Sequence, residues 1–161
     1  ETMATANAAT SFLENRLLSF IFKNNAASFT SPGDNIFVGL ATAVSNFTDS
    51  TGEDAAGPTI TEANFTSYGR KQVAASGWTL TADTADTQTC TNAANIDFTA
   101  SGGGGTDVIT HVFIATHETA SLDTLGSGGN VLFIGALDAS KSIATGDIFR
   151  INAGNLTIEL K

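Results

Sequence analysis

A mostly β fold, an antiparallel sandwich of jelly-roll type with one short N-terminal helix, is predicted by three features of the sequence. The first is the closing segment Gly154 to Lys161, where Leu156, Ile158 and Leu160 alternate with Thr157, Glu159 and Lys161. That is the period of a strand with one buried and one wet face. The second is a pair of near-continuous apolar runs, Val108 to Ala115 and Val131 to Leu137, each of strand length. The third is the glycine-rich turns at Gly102 to Gly105 and Gly126 to Gly129 that punctuate them.

Taken in order, Met3 to Thr10 is small and polar and is expected to be a flexible segment, so the chain divides into residues 1–10 and a single domain over 11–161. Ser11 and Glu14 have the spacing of a helix N-terminal capping box. Leu13, Leu17, Phe20 and Ile21 then fall at i, i+4, i+7 and i+8, which predicts a helix over Ser11 to Lys23, with Asn24 and Asn25 as stop residues. That stripe is expected to pack on the sheet and plug one open end of the core. Phe12, Leu18 and Phe22 lie outside the stripe and leave apolar surface suited to a neighbouring subunit.

After the turn cluster Ser31 to Asp34, Ile36 to Ala43 reads as the first long strand. Ser45 to Thr59 is rich in Thr, Ser, Gly, Asp and Glu, the composition of an exposed loop, and its length makes it a candidate contact segment. Short strands are expected near Lys71 to Ala74, Trp78 to Leu80 and Asn95 to Thr99. The two apolar runs follow, then Asp147 to Ile151 and the terminal strand. About eight strands behind one helix is a sandwich pattern, and no repeat of solenoid period is present.

Length and charge narrow the function. The 161 residues suit one core, and 16 acidic against 7 basic residues give a net charge of −9 that repels phosphate backbones. Nucleic acid is therefore not an expected partner. Polarity comes instead from Thr, Ser and Asn, which hydrogen-bond without charge and suit packing against protein. Cys90 is the only cysteine, so neither an internal disulfide nor a CxxC pair can form. The strongest apolar run near the N-terminus, Leu17 to Phe22, falls far short of the ~20 residues of a membrane span. It also lacks a basic leader, and neither membrane insertion nor a secretory signal is expected.

No catalytic, cofactor-binding or metal-ligating residue emerges. His111 and His117 share a face if their strand continues that far, but they would lie ~20 Å apart, too far for one metal. Asp49, Glu53 and Asp54 cluster in the long loop without EF-hand spacing and read as a solvated acidic loop. Gly102 to Gly105 precedes no Lys-Ser/Thr and reads as a turn, not a phosphate cradle. There is no GxSxG elbow, and Cys90 lacks a local activating motif. The sequons at Asn46, Asn64 and Asn155 are the chance product of a chain rich in Asn and Thr. Trp78 and Tyr68 could stack on a sugar, but their strand-like surroundings favour core or rim packing. A non-enzymatic protein without cofactor is expected. A hydrolase built from scattered residues would need a Ser or Cys within hydrogen-bond reach of a histidine.

A resemblance adds to this. Phe12 to Leu18, Ile36 to Leu40, Tyr68 to Val73, Thr110 to Ile114, Gly129 to Leu137 and Gly154 to Ile158 stand in the order and rough spacing of a family of small tailed-phage virion proteins. Its members are β-sandwich proteins with a short N-terminal helix, usually labelled tail fibre proteins, and some resemble capsid cement, or decoration, proteins. The resemblance spans nearly the whole chain, with longer loops at Ser45 to Thr59 and Ala115 to Gly129. It implies a virion structural protein. A compact chain without coiled-coil, collagen-like or β-helical shaft suits a cement on the capsid outer surface that bridges neighbouring subunits. The implied partners are the major capsid protein and a second copy of the chain, as a homodimer or alternatively a trimer. A tail fibre or tail-tip receptor-binding module is the alternative. Uncharged contacts from Met3 to Thr10 and the Ser45 to Thr59 loop are expected to hold it.

Overall fold

The computed structural model describes residues 8–9, 11–23, 36–45, 59–82, 88–101, 107–119 and 131–160. Their elements are, in chain order, strand β1 (Ala8–Ala9), helix α1 (Ser11–Phe22), β2 (Phe37–Ser45), β3 (Thr59–Glu62) and β4 (Lys71–Gln72). A single 3-10 turn at Ala75–Gly77 leads into β5 (Trp78–Ala82), β6 (Gln88–Asn92), β7 (Ile96–Thr99) and β8 (Asp107–Ala115). The chain closes with β9 (Val131–Ile143), β10 (Ile148–Ile151) and β11 (Thr157–Leu160). The fold is thus mostly β with one short helix, as the periodicity predicts, and all strand pairs are antiparallel.

The largest sheet runs β1-β9-β8-β2-β3, with β4 also on β2; β11-β6-β5 and β10-β7 form two smaller sheets. The apolar runs occupy its centre because those strands are covered on both faces. Phe37 to Ala41 of β2 and Val112 to Ala115 of β8 are all buried. One face contributes Val38, Leu40, Ile109, Val112 and Ile143, which meet Ile96, Phe98 and Ile151 of the β10-β7 ribbon in a single core. The other face gathers Ala41, Phe113, Ala115, Val131 and Ile134 into a second cluster. The terminal strand follows its alternation, with Leu156 and Ile158 half-buried and Thr157 and Glu159 exposed.

Several boundaries differ from expectation, each for a visible reason. About eight strands were expected, against eleven described. The unforeseen strands are β1, β3 and β6, too short or too polar to carry an apolar period; β6 reads Gln-Thr-Cys-Thr-Asn. β9 continues six residues past Leu137 through Asp138-Ala139-Ser140-Lys141-Ser142-Ile143, a mostly polar stretch whose last three residues pair with β8 and whose Ile143 is buried. There the register slips: the single residue Thr110 between Ile109 and His111 of β8 faces the four residues between Ala136 and Lys141 of β9. The excess bows the Leu137 to Ser140 segment out of the ladder, as a large bulge does. His117 lies beyond the end of β8 at Ala115, so it shares no strand with His111. Of the N-terminal segment only Ala8 and Ala9 are described, paired with Ile134 and Phe133. The Ser45 to Thr59 loop is described at its two ends, and Asp49, Glu53, Asp54, Asn46 and Gly102 to Gly105 lie outside the described residues.

The largest correction concerns α1. The helix forms where its capping box and stripe predict it, but the stripe is not buried on the sheet. Leu17 is 38%, Phe20 46% and Ile21 57% exposed, and Leu18 and Phe22, off the stripe, reach 55% and 77%. Periodicity reported an apolar helix face correctly and could not report what covers it.

One glycine decides the packing of the central strands. Gly39 of β2 stands opposite Phe113 of β8, and a Cβ on Gly39 would lie 2.2 Å from Phe113 Cζ. The missing side chain leaves the space that the tip of the Phe113 ring occupies, fully buried. Gly39→Ala must push that ring out of a packed core, and a loss of about 1–3 kcal/mol is expected. A shift in the chemical denaturation midpoint of that size, with an unchanged slope, checks it.

Candidate functional site

The ionisable and polar groups with defined geometry are built into the fold, and the largest group sits on the outer side of β2. That edge is divided: β4 pairs with Phe37 and Val38, and β3 pairs from Ala41 to Ser45. Between them the backbone of Leu40 is completed from elsewhere. Its N–H donates to the Tyr68 hydroxyl at 3.0 Å and its carbonyl accepts from Ala63 N–H at 2.9 Å. The Tyr68 hydroxyl in turn donates to Glu62 Oε1 at 2.7 Å. Arg70 grips the same carboxylate as a fork, Nε to Oε1 and Nη2 to Oε2, both 2.8 Å. Its third arm, Nη1, donates to the His117 carbonyl at 2.7 Å, tying down the chain just past β8. The guanidinium also lies 5.5 Å from the centroid of the Phe113 ring, a cation–π contact. Tyr68 and Trp78 are half-buried and pack against the core, within the core or rim packing their surroundings favour: Tyr68 packs on Phe65 and Phe98, and the Trp78 indole N–H donates to the Val73 carbonyl.

A second buried hub is Asn92, 1% exposed. Its amide nitrogen donates to the carbonyls of Ala94 and Asn152, and its Oδ1 accepts from Leu156 N–H at 2.9 Å. It pins the turn before β11 to the end of β6. Asp107 accepts from the N–H groups of Asn64 and Phe65, closing the turn that carries Tyr68. Asp97 and Arg150, cross-strand neighbours on β7 and β10, form an exposed bidentate pair that holds the carboxyl below its usual range. Most of these partners follow no spacing rule, and Arg70 with His117, Asn92 with Asn152, Asp107 with Asn64 and Asp97 with Arg150 join positions more than forty residues apart.

The residues weighed for chemistry are not brought together. His111 is half-buried on β8, its Nδ1 2.8 Å from the Thr110 hydroxyl, and burial pushes its pKa down. His117 is exposed and its Nδ1 accepts from Thr119 N–H. Cys90 sits mid-strand between Leu80 and Ile158, and burial pushes its thiol up, away from the reactive thiolate. Among the described residues no three of His, Cys, Asp and Glu are grouped to hold a metal ion.

The described chain also presents exposed large apolar side chains, most of them on α1. Besides α1, an open cleft of about 1360 Å³ lies between β9 on one side and β10 and β11 on the other. Its apolar lining includes Phe133, Leu137, Ile148 and Phe149 beside the buried Val112 and Ile114, while Asp138, Lys141, Asp147 and Glu159 stand among its polar lining. This surface was not legible in the sequence, because the residues that line it occur in strands that otherwise read as ordinary half-buried elements.

Two measurements test the internal network. Arg70→Ala leaves Glu62 without its partner and the His117 carbonyl without a donor, and should cost about 3–5 kcal/mol; Arg70→Lys should recover only part, since an ammonium cannot reproduce the fork. Tyr68 is the only tyrosine, so phenolate absorbance reads it directly. Burial, then the hydrogen bond to Glu62 and that carboxylate's charge, push its pKa far above the ordinary tyrosine range. A raised folded-state value means full stability below the unfolded pKa of about 10 and a progressive loss as pH rises beyond it. Phenolate should therefore appear only as the fold melts at alkaline pH; a phenol that titrates near 10 in the folded protein contradicts the assigned hydrogen bond.

Comparison with curated proteins gives no match. A family model described as podophage GP4 fiber I protein gp80 matches residues 8–159, from β1 to within β11, so it covers every described strand and the helix. The chain belongs to this Gp80 family of podophage fibre proteins and is a structural protein of the phage virion.

Proposed function

We propose that the protein is a non-enzymatic subunit of the virion's fibre apparatus that works by protein–protein contact and self-association. The observation that carries this is the exposed apolar face of α1, uncharged from Leu17 to Phe22 in a chain of net charge −9. An uncovered helix face of that kind marks an interface. The arrangement of polar groups supports the same reading: Arg70, Glu62, Tyr68, Asn92 and Asp107 are spent on holding strands and turns. The fibre description of the family favours a tail position.

A second reading, capsid cement bridging neighbouring subunits of the major capsid protein, is favoured by a different observation. The described residues build short antiparallel strands and one 12-residue helix, with no extended shaft of their own. Copies of such a compact unit could each sit on a shell.

Antibody-gold labelling of intact particles and the copy number per virion separate the two. Label confined to the tail, with a small copy number, is expected. Hundreds of copies spread over the capsid would give the cement reading instead.

A further inference from the structure

The exposed helix and the open cleft belong to the same chain, and each has the size and chemistry the other requires. α1 has 12 residues. At 1.5 Å rise and about 10 Å across, a helix of that length is about 18 Å long and fills about 1,400 Å³. The cleft between β9 and the β10 and β11 strands measures about 1360 Å³. We infer that α1 of one copy docks in the β9–β10–β11 cleft of a second copy, head to tail.

Charge agrees with that occupant. Leu17 to Phe22 carries no charge and would lie on the apolar lining that Phe133, Leu137, Ile148 and Phe149 leave partly exposed. Lys23, exposed at the C-terminal end of α1, would then reach a polar lining that holds Asp138, Asp147 and Glu159. Among the described lining residues the cations are Lys141 and Arg150, and Arg150 is already paired with Asp97. With Asp138 and Asp147 beside Lys141, the described lining is net acidic even without Glu159 and matches a helix followed by lysine. The chain's own α1 is not the occupant, because in its own position Leu18, Ile21 and Phe22 stay more than half exposed while the cleft remains open. Different patches meet in this contact, so it is heterologous, and it propagates into a ring or an open filament instead of stopping at a pair. The inference extends the self-association named above and specifies its surfaces.

Complementation between two blocked variants tests it. Leu18→Glu with Phe22→Glu blocks the helix at exposed positions, and Ile148→Glu, 54% exposed on the cleft, blocks the cleft. Light scattering should show the native chain growing beyond a dimer with concentration, and each variant alone monomeric. An equimolar mixture should double in mass and grow no further, since one intact helix meets one intact cleft. If Ile148→Glu loses its β-sheet circular dichroism, Asp138→Arg, an exposed change that repels Lys23, takes its place. A mixture that stays monomeric, a cleft variant that still associates by itself, or a native chain that is monomeric at every concentration reached would each overturn the inference. These masses are read on purified protein, so they stand or fall independently of whether particles carry the label on tail or capsid.

Discussion

The contact on which the central sheet depends is the stacking of Phe113 across Gly39, capped from outside by Arg70. β2 and β8 can lie buried on both faces only if something flat fills the space over Gly39, and an aromatic ring does so without a polar atom to satisfy. The Arg70 guanidinium lies over the same ring, 5.5 Å from its centroid, and the ring is fully buried. Arg70 is in turn affordable inside the fold because every one of its arms has an acceptor: two reach Glu62 and the third the His117 carbonyl. A desolvated arginine without those partners would cost more than the contact returns. The fork also orients Glu62 to accept from Tyr68, whose hydroxyl completes the Leu40 backbone where β3 and β4 leave a gap. One glycine, one phenylalanine and three polar residues thus fix the position of four strands.

The fold was legible where burial imposes a period on sequence, and obscure where pairing alone holds the chain. β2, β8, the first half of β9 and β11 announced themselves because core contact selects apolar residues at every position or every second one. β6 and the second half of β9 did not, because their residues are mostly polar and their extended shape comes from neighbouring strands. The register slip in β9 has no sequence signature: nothing in Asp138-Ala139-Ser140 says that four residues will face one. Likewise Arg70 read as one of seven basic residues, although it is 8% exposed and central to the packing. Its partners at Glu62 and at His117 are brought near only by the turn that follows β3 and by the end of β8.

The helix shows a different limit. Leu13, Leu17, Phe20 and Ile21 make a stripe whether they cover the chain's own sheet or another protein, since the free energy gained per unit of apolar area is the same in both cases. Sequence therefore establishes that this face is to be covered, and geometry decides by what. The expectation that it plugs the core assumed the nearest customer. The surplus residues Leu18 and Phe22, off the stripe, were the signal that pointed elsewhere: a helix needing one neighbour has no use for apolar side chains on a second side.

Charge explains why such a surface is tolerable. A chain of net charge −9 repels its own copies at long range, an effect screened beyond about 8 Å at physiological salt. Two molecules can therefore approach closely only where opposing patches are neutral or complementary, and apolar area is otherwise kept from indiscriminate aggregation. The uncharged stretch of α1 and the apolar lining of the cleft are such places, while most of the exposed surface offers carboxylates or short hydroxyl side chains. In the proposed contact, acidic repulsion and local neutrality together would confine self-association to matched surfaces. Such a contact would draw its specificity from sparse charge and from where apolar residues are left exposed.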